Sequence, residues 1–159
     1  MKVTFTRTGE RRYRVAVEGK GVIASFMEPA AGYDERLPHD LAHFVVEQYL
    51  GLDGAVYGRL AAGGHQFQPL ADKQPRRGTK LRDKIAAEQR REAEFAERVI
   101  DIACRRWKRE RYDGPPAKGV TDEDIKSICT EYDAVSSIWS KLGVGQSMTL
   151  EWQGKKAKR

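Results

Sequence analysis

His39, His43 and His65 are the only histidines in a chain of 159 residues, and all three fall within 27 positions. Two of them stand four apart, as His39-Asp40-Leu41-Ala42-His43. On a helix, one turn brings both rings to the same face with their Cβ atoms about 6 Å apart. From there two imidazoles can ligate one metal ion. A third ligand is still needed. Glu47 is one turn from His43 but two turns from His39, so a straight helix does not easily bring both ends to one ion. His65 follows Gly63-Gly64, and a glycine-rich loop can fold back over a helix, which makes it the better expectation. A His39/His43/His65 set would leave a position for water, the arrangement of catalytic zinc, so Zn2+ is the expected cofactor.

The stretch from His39 to His43 resembles the HExxH helix of zincin metallopeptidases, where the acidic residue beside the first histidine is the general base. The resemblance covers five residues and implies a metal-dependent hydrolase with Asp40 as its catalytic base. It departs at that base, because Asp40 is one methylene shorter than glutamate and reaches less far. The run Leu37-Pro38-His39-Asp40-Leu41-Ala42-His43-Phe44-Val45-Val46-Glu47, followed by Gly54-Ala55-Val56-Tyr57-Gly58 and Ala61-Ala62-Gly63, is similar to a motif of small bacterial proteins. That second resemblance spans about residues 33–68 and implies no activity. A plainer alternative stays open for the same residues: His39 satisfying backbone groups in a first turn, and His43 bonded in the core to Glu47.

A second constellation is Arg105-Arg106-Trp107-Lys108-Arg109-Glu110-Arg111-Tyr112, five cations interleaved with two aromatic rings. Cations neutralise phosphates and rings stack on unpaired bases, which suits RNA or single-stranded DNA. On one continuous helix Arg105, Lys108 and Arg109 share a side and form the expected nucleic-acid patch, while Trp107 lies on the apolar stripe. No helix-turn-helix, zinc-finger or RNP signature accompanies the run. A nucleic-acid or protein interaction module is therefore the alternative to a metal-binding protein.

Charge is spread unevenly over the chain. The net charge is +6, yet residues 73–112 hold 14 basic and 7 acidic side chains, residues 113–154 hold 3 and 7, and residues 155–159 hold 4 and 0. A basic belt and a basic tail sit on a mildly acidic body. No apolar run approaches the ~18 residues of a membrane span, and the charged first residues do not read as a signal peptide. The expectation is a cytoplasmic protein with no membrane partner. Cys104 and Cys129 fall on apolar helical stripes and read as reduced core residues. No glycine-rich phosphate loop and no G-x-S-x-G elbow occurs.

Around these residues the patterning predicts an α+β domain over residues 1–154. Strands are expected around Val3–Phe5, Tyr13–Val17 and Val22–Met27 as a meander, from their period-two alternation and intervening turns. Pro38 opens a helix that Gly51 stops. Its apolar face (Leu37, Leu41, Phe44, Val45) and its histidine face both look covered. A short helix over 55–62, a polar linker over 68–80, and a long charged helix over 81–112 follow. That long helix could project and pair with a second copy, giving a homo-oligomer. Thr121 caps a helix running to Leu142, and a strand over 148–152 returns to the meander. The small, mostly antiparallel sheet packs on the 38–50 and 121–142 helices, and residues 155–159 form a basic tail.

Overall fold

In the computed structural model of the protein, residues 1–64, 67–69 and 81–154 are described, with only the backbone of 69 and 81–86. Residues 70–80 of the expected linker, the basic tail 155–159 and His65 lie outside the described residues. The order of elements is β1 (Lys2–Gly9), β2 (Arg12–Glu18), β3 (Ser25–Met27), α1 (His39–Leu50), α2 (Val56–Ala61), β4 (Gln68–Pro69), α3 (Leu81–Trp107), α4 (Asp122–Trp139) and β5 (Ser147–Glu151). This is the expected α+β architecture. The strands form one antiparallel sheet in the order β4-β3-β2-β1-β5, so the last strand pairs with the first.

Alternation decides which side of the sheet is covered. Val3, Phe5, Tyr13, Val15, Val17 and Met148 are buried, while the residues between them are half-buried or exposed. Helices α1 and α4 lie over the buried face. Phe44 meets Phe5 edge-on at 6.3 Å, and Trp139 meets Tyr13 at 5.8 Å. Helix α3 packs on α1 and α4 from outside, through Val99, Ile100 and Ala103. Helix α1 is thus covered on both sides: Leu41 to Glu47 are all buried.

Boundaries follow backbone chemistry. Pro38 precedes α1, and its carbonyl accepts from Leu41 and Ala42 N–H, both at 3.0 Å. Gly51 ends that helix in the left-handed region at φ 66°. Thr121 and Asp124 form a reciprocal capping box at the start of α4.

Three elements are shorter than the sequence predicts. The third strand begins at Ser25, because Val22 is still in a turn, its N–H bonded to Gly19. Helix α4 ends at Trp139 rather than Leu142. The long helix ends at Trp107 rather than Tyr112. There Arg109 takes φ 60°, its N–H donates to the Arg106 carbonyl at 3.1 Å, and Glu110 N–H donates to Arg105 at 2.8 Å. That pair of bonds around a left-handed residue is a Schellman stop, made here with arginine in the place glycine usually takes. Among the described residues no helix is long and apolar enough to cross a membrane.

Candidate metal centre

Helix α1 sets His39, His43 and Glu47 on one face, and α3 lays Glu97 against it. The His39 and His43 rings meet edge-on with centroids 4.6 Å apart, and their Nε2 atoms are 3.2 Å apart. Glu97 Oε1 lies 3.1 Å from His43 Nε2, and Glu97 Oε2 lies 3.6 Å from His39 Nε2. Ligand atoms on a tetrahedral zinc, with bonds of about 2.0–2.2 Å, stand about 3.3–3.6 Å from one another. The donors of His39, His43 and Glu97 lie within 4.8 Å of one another, close enough to reach one ion, at distances that hydrogen bonds between them also account for.

The groups behind the donors fix them in place. The other ring nitrogen of His43, Nδ1, is 3.0 Å from Glu47 Oε1. Glu47 is wholly buried, and its second oxygen accepts the backbone N–H of Tyr57 at 2.7 Å, at the start of α2. On a neutral ring, a carboxylate at Nδ1 would hold the tautomer in which Nε2 offers its lone pair forward, the usual support of a metal-ligating histidine. His39 is seated by its backbone N–H on the Gly32 carbonyl at 3.0 Å. Gly32 has φ 70°, and a Cβ there would lie 2.6 Å from the His39 Cβ, so this close approach requires glycine. Helix α3 is held beside α1 by Glu92, whose carboxylate accepts from Gly54 N–H at 2.6 Å.

Exposure runs from the floor outward. The His43 and Glu47 side chains are 6% and 0% exposed, whereas those of His39 and Glu97 are 45% and 56% exposed. An ion on this triad would be held from below and open above.

Burial disfavours the charged form of His43, but the hydrogen bonds it donates to Glu47 and then Glu97 outweigh it and push its pKa up to about 9. The hydrogen bond to His43 in turn holds the Glu97 carboxyl below its usual range. Two carboxylates thus hold His43 in its protonated form, which donates from both ring nitrogens.

Asp40, the expected base, is placed elsewhere. Its carboxylate accepts from the Tyr13 hydroxyl under the helix, and burial pushes its pKa up. Its carbonyl accepts from the Tyr57 hydroxyl at 2.9 Å. Glu47 serves behind His43 rather than beside it, at the distance that the plainer reading of His43 expects. Glu97 is missed by sequence reasoning altogether. It is 54 positions from His43, on a helix rich in glutamate, and its only local signal is its place at the margin of the Ala96–Val99–Ile100 stripe.

The continuous helix expected to carry the basic segment ends at Trp107. Arg105 and Lys108 fall on either side of the helix end, and Arg109 is the left-handed stop. Arg105 pairs with Asp101 at 2.8 Å and Lys108 with Asp34 at 3.1 Å. Trp107 turns inward in part, edge-on to Tyr132 at 6.0 Å, with Arg36 stacked 4.5 Å above its ring. Cys104 and Cys129 are free, half-buried thiols, and burial pushes both pKa values up. A groove of about 390 Å3 lies on the opposite flank of α1, lined by Phe44, Val45, Gln48 and Tyr49, away from the histidines. No protein-family model, no curated protein and no solved structure matches the chain.

Proposed function

We propose that the protein binds one divalent metal ion of the zinc class through His39, His43 and Glu97, and that it is a metal-dependent hydrolase. The observation that carries this reading is the convergence of three donors from two helices at ligand-to-ligand distances, with the buried Glu47 fixing the tautomer of the innermost one. Two imidazoles and a carboxylate are a hydrolytic zinc ligand set, and zinc in such a site makes water acidic enough to act near neutral pH. The chain's own part is to hold that water's position open above His39 and Glu97. Asp40, engaged by Tyr13, orients α1 from beneath in this reading.

Titration calorimetry with Zn2+ on purified, chelator-stripped protein tests the metal. One ion per chain is expected, with binding abolished by His43→Ala and weakened by Glu97→Gln. Wild-type protein that takes up no zinc, or a Glu97→Gln variant that binds as tightly as wild type, removes the site. A panel of chromogenic esters and phosphoesters tests the hydrolase. Turnover should vanish with chelator and return with zinc, and a metal-loaded protein inert to every ester class would leave metal binding without hydrolysis.

A further inference from the structure

We infer that the free edge of β5, with the groove beside it, docks an extended basic segment of another protein as a sixth strand of the sheet. Among the described residues, strand β5 pairs with β1 on one side only. Met1 exchanges backbone bonds with Trp152, and Arg7 N–H donates to Gln146, so the even-numbered residues of this ladder face β1. Ser147, Thr149 and Glu151 therefore turn their N–H and C=O groups outward. At one end, Gln48 of α1 treats that edge as a pairing site. Its Nε2 donates to the Glu151 carbonyl at 3.2 Å, and its Oε1 accepts from Gln153 N–H at 3.0 Å. A side-chain amide there makes the two bonds that the peptide group of a neighbouring strand would make. Ser147 and Thr149 are exposed, and β5 contains no lysine, proline or bulge of the kind that guards an edge.

The surface flanking the edge is apolar with an acidic rim. Phe44, Val45, Val135 and Leu150 line the groove. Its volume of about 390 Å3 falls in the range of ligand clefts, roughly 300–1,000 Å3. Among the described residues the exposed large hydrophobics are Tyr49 at 40%, Ile138 at 49% and Val144 at 64%. Of these, Tyr49 lines the groove; Ile138 lies one turn after Val135 on α4, and Val144 precedes β5 in the chain. The charged groups lining it are Glu131 and Glu151, with no cation among the lining residues; Lys2 lies across the ladder from Glu151. Strand addition gives main-chain affinity, and pockets for alternate side chains give selectivity. The occupant that fits has apolar side chains at alternate positions and lysine or arginine between them. A second copy fits less well, because Met148 of its own β5 is already buried under its own helices. It would bring no side chains to fill the groove.

An array of short peptides with alternating valine, whose intervening positions are all lysine, all serine or all glutamate, tests this on the full chain. The lysine series should bind about tenfold more tightly than the serine series, and the glutamate series should not bind. Thr149→Pro, which removes one outward N–H, should cost about tenfold in affinity for the lysine series. Glu151→Lys should reverse the charge preference, because Glu151 lies on the open face of the sheet to which the intervening side chains point, and it serves if Thr149→Pro fails to fold. Backbone amide shifts on adding a lysine peptide should map to 147–151 and 45–49. Equal binding by the three series, no binding by any, or shifts confined to another surface would overturn the proposal.

Discussion

His43 uses its two ring nitrogens for two different purposes, and that division gives the site a pH signature. In the folded, metal-free chain it stays protonated up to about pH 9, donating from Nδ1 to Glu47 and from Nε2 to Glu97. In the unfolded chain a histidine loses its proton near 6.5. A folded pKa raised above the unfolded one adds stability that is fully present below about pH 6.5 and is lost as pH climbs to about 9. Metal-free protein should therefore melt at a lower temperature at pH 9 than at pH 6.5. Zinc reverses the sign, since it must displace that proton: its apparent affinity should rise by up to about tenfold per pH unit between 6.5 and 9. Calorimetry in buffers of different ionisation enthalpy would count the proton released. Zinc affinity that is flat over this window would mean His43 is not a ligand. Glu47→Gln keeps every ligand but weakens the support of Nδ1, and should lower zinc affinity about 10–100-fold. An unchanged affinity would reduce Glu47 to packing. The His39/His43 pair is legible in the sequence because one helical turn is a local rule. Glu97 is not, because only the docking of α3 on α1 chooses it among its neighbouring glutamates.

Helix ends show why some boundaries can be read and others cannot. Helix α1 stops on Gly51 and α4 starts on Thr121, residue types whose backbone or side chain carries the signal. Helix α3 stops with Arg109 in the left-handed region, where a Cβ is unfavourable, so sequence reading carries the helix on to Tyr112. With that boundary went the expectation that Arg105, Lys108 and Arg109 share a face. The left-handed conformation costs a non-glycine residue about 1–2 kcal/mol, and glycine recovers part of that while adding unfolded-state entropy. Arg109→Gly should therefore stabilise the protein by about 0.5–1 kcal/mol in urea unfolding. A destabilised variant would mean that the arginine side chain contributes more than its backbone costs. At the other boundary, Thr121→Ala removes a reciprocal cap and should cost about 1 kcal/mol.

The whole molecule is three layers deep, and the candidate centre lies at the outer seam. The sheet is tied to α1 and α4 by large buried rings, Phe5, Phe44, Tyr13 and Trp139 among them, whose period-two and helical spacings made these layers predictable. Helix α3 packs mainly on α1 and α4 and brings the small residues Ala96, Val99 and Ala103 to that contact. Its polar ties to α1 and the loop after it run through Glu92 to Gly54 and through Glu97 to the histidines. A metal ion on His39, His43 and Glu97 would join α1 to α3 beside the Ala96 and Val99 contact. A ligand that binds only the folded chain adds about 2.7 kcal/mol at a hundredfold excess over its dissociation constant. For a chain of this size that raises the melting temperature by roughly 5–10 °C. Wild-type protein should show that rise on adding zinc. Glu97→Gln should fold, since its side chain is 56% exposed, yet lose most of the rise. Asp101→Asn, one turn further along the same exposed side of α3, should keep it. Proteolysis supplies an independent reading, because zinc should slow cleavage within α3 in the wild type and not in Glu97→Gln. If zinc raises the melting temperature of the Glu97→Gln protein as much as that of the wild type, the ion sits on α1 alone and does not join the layers.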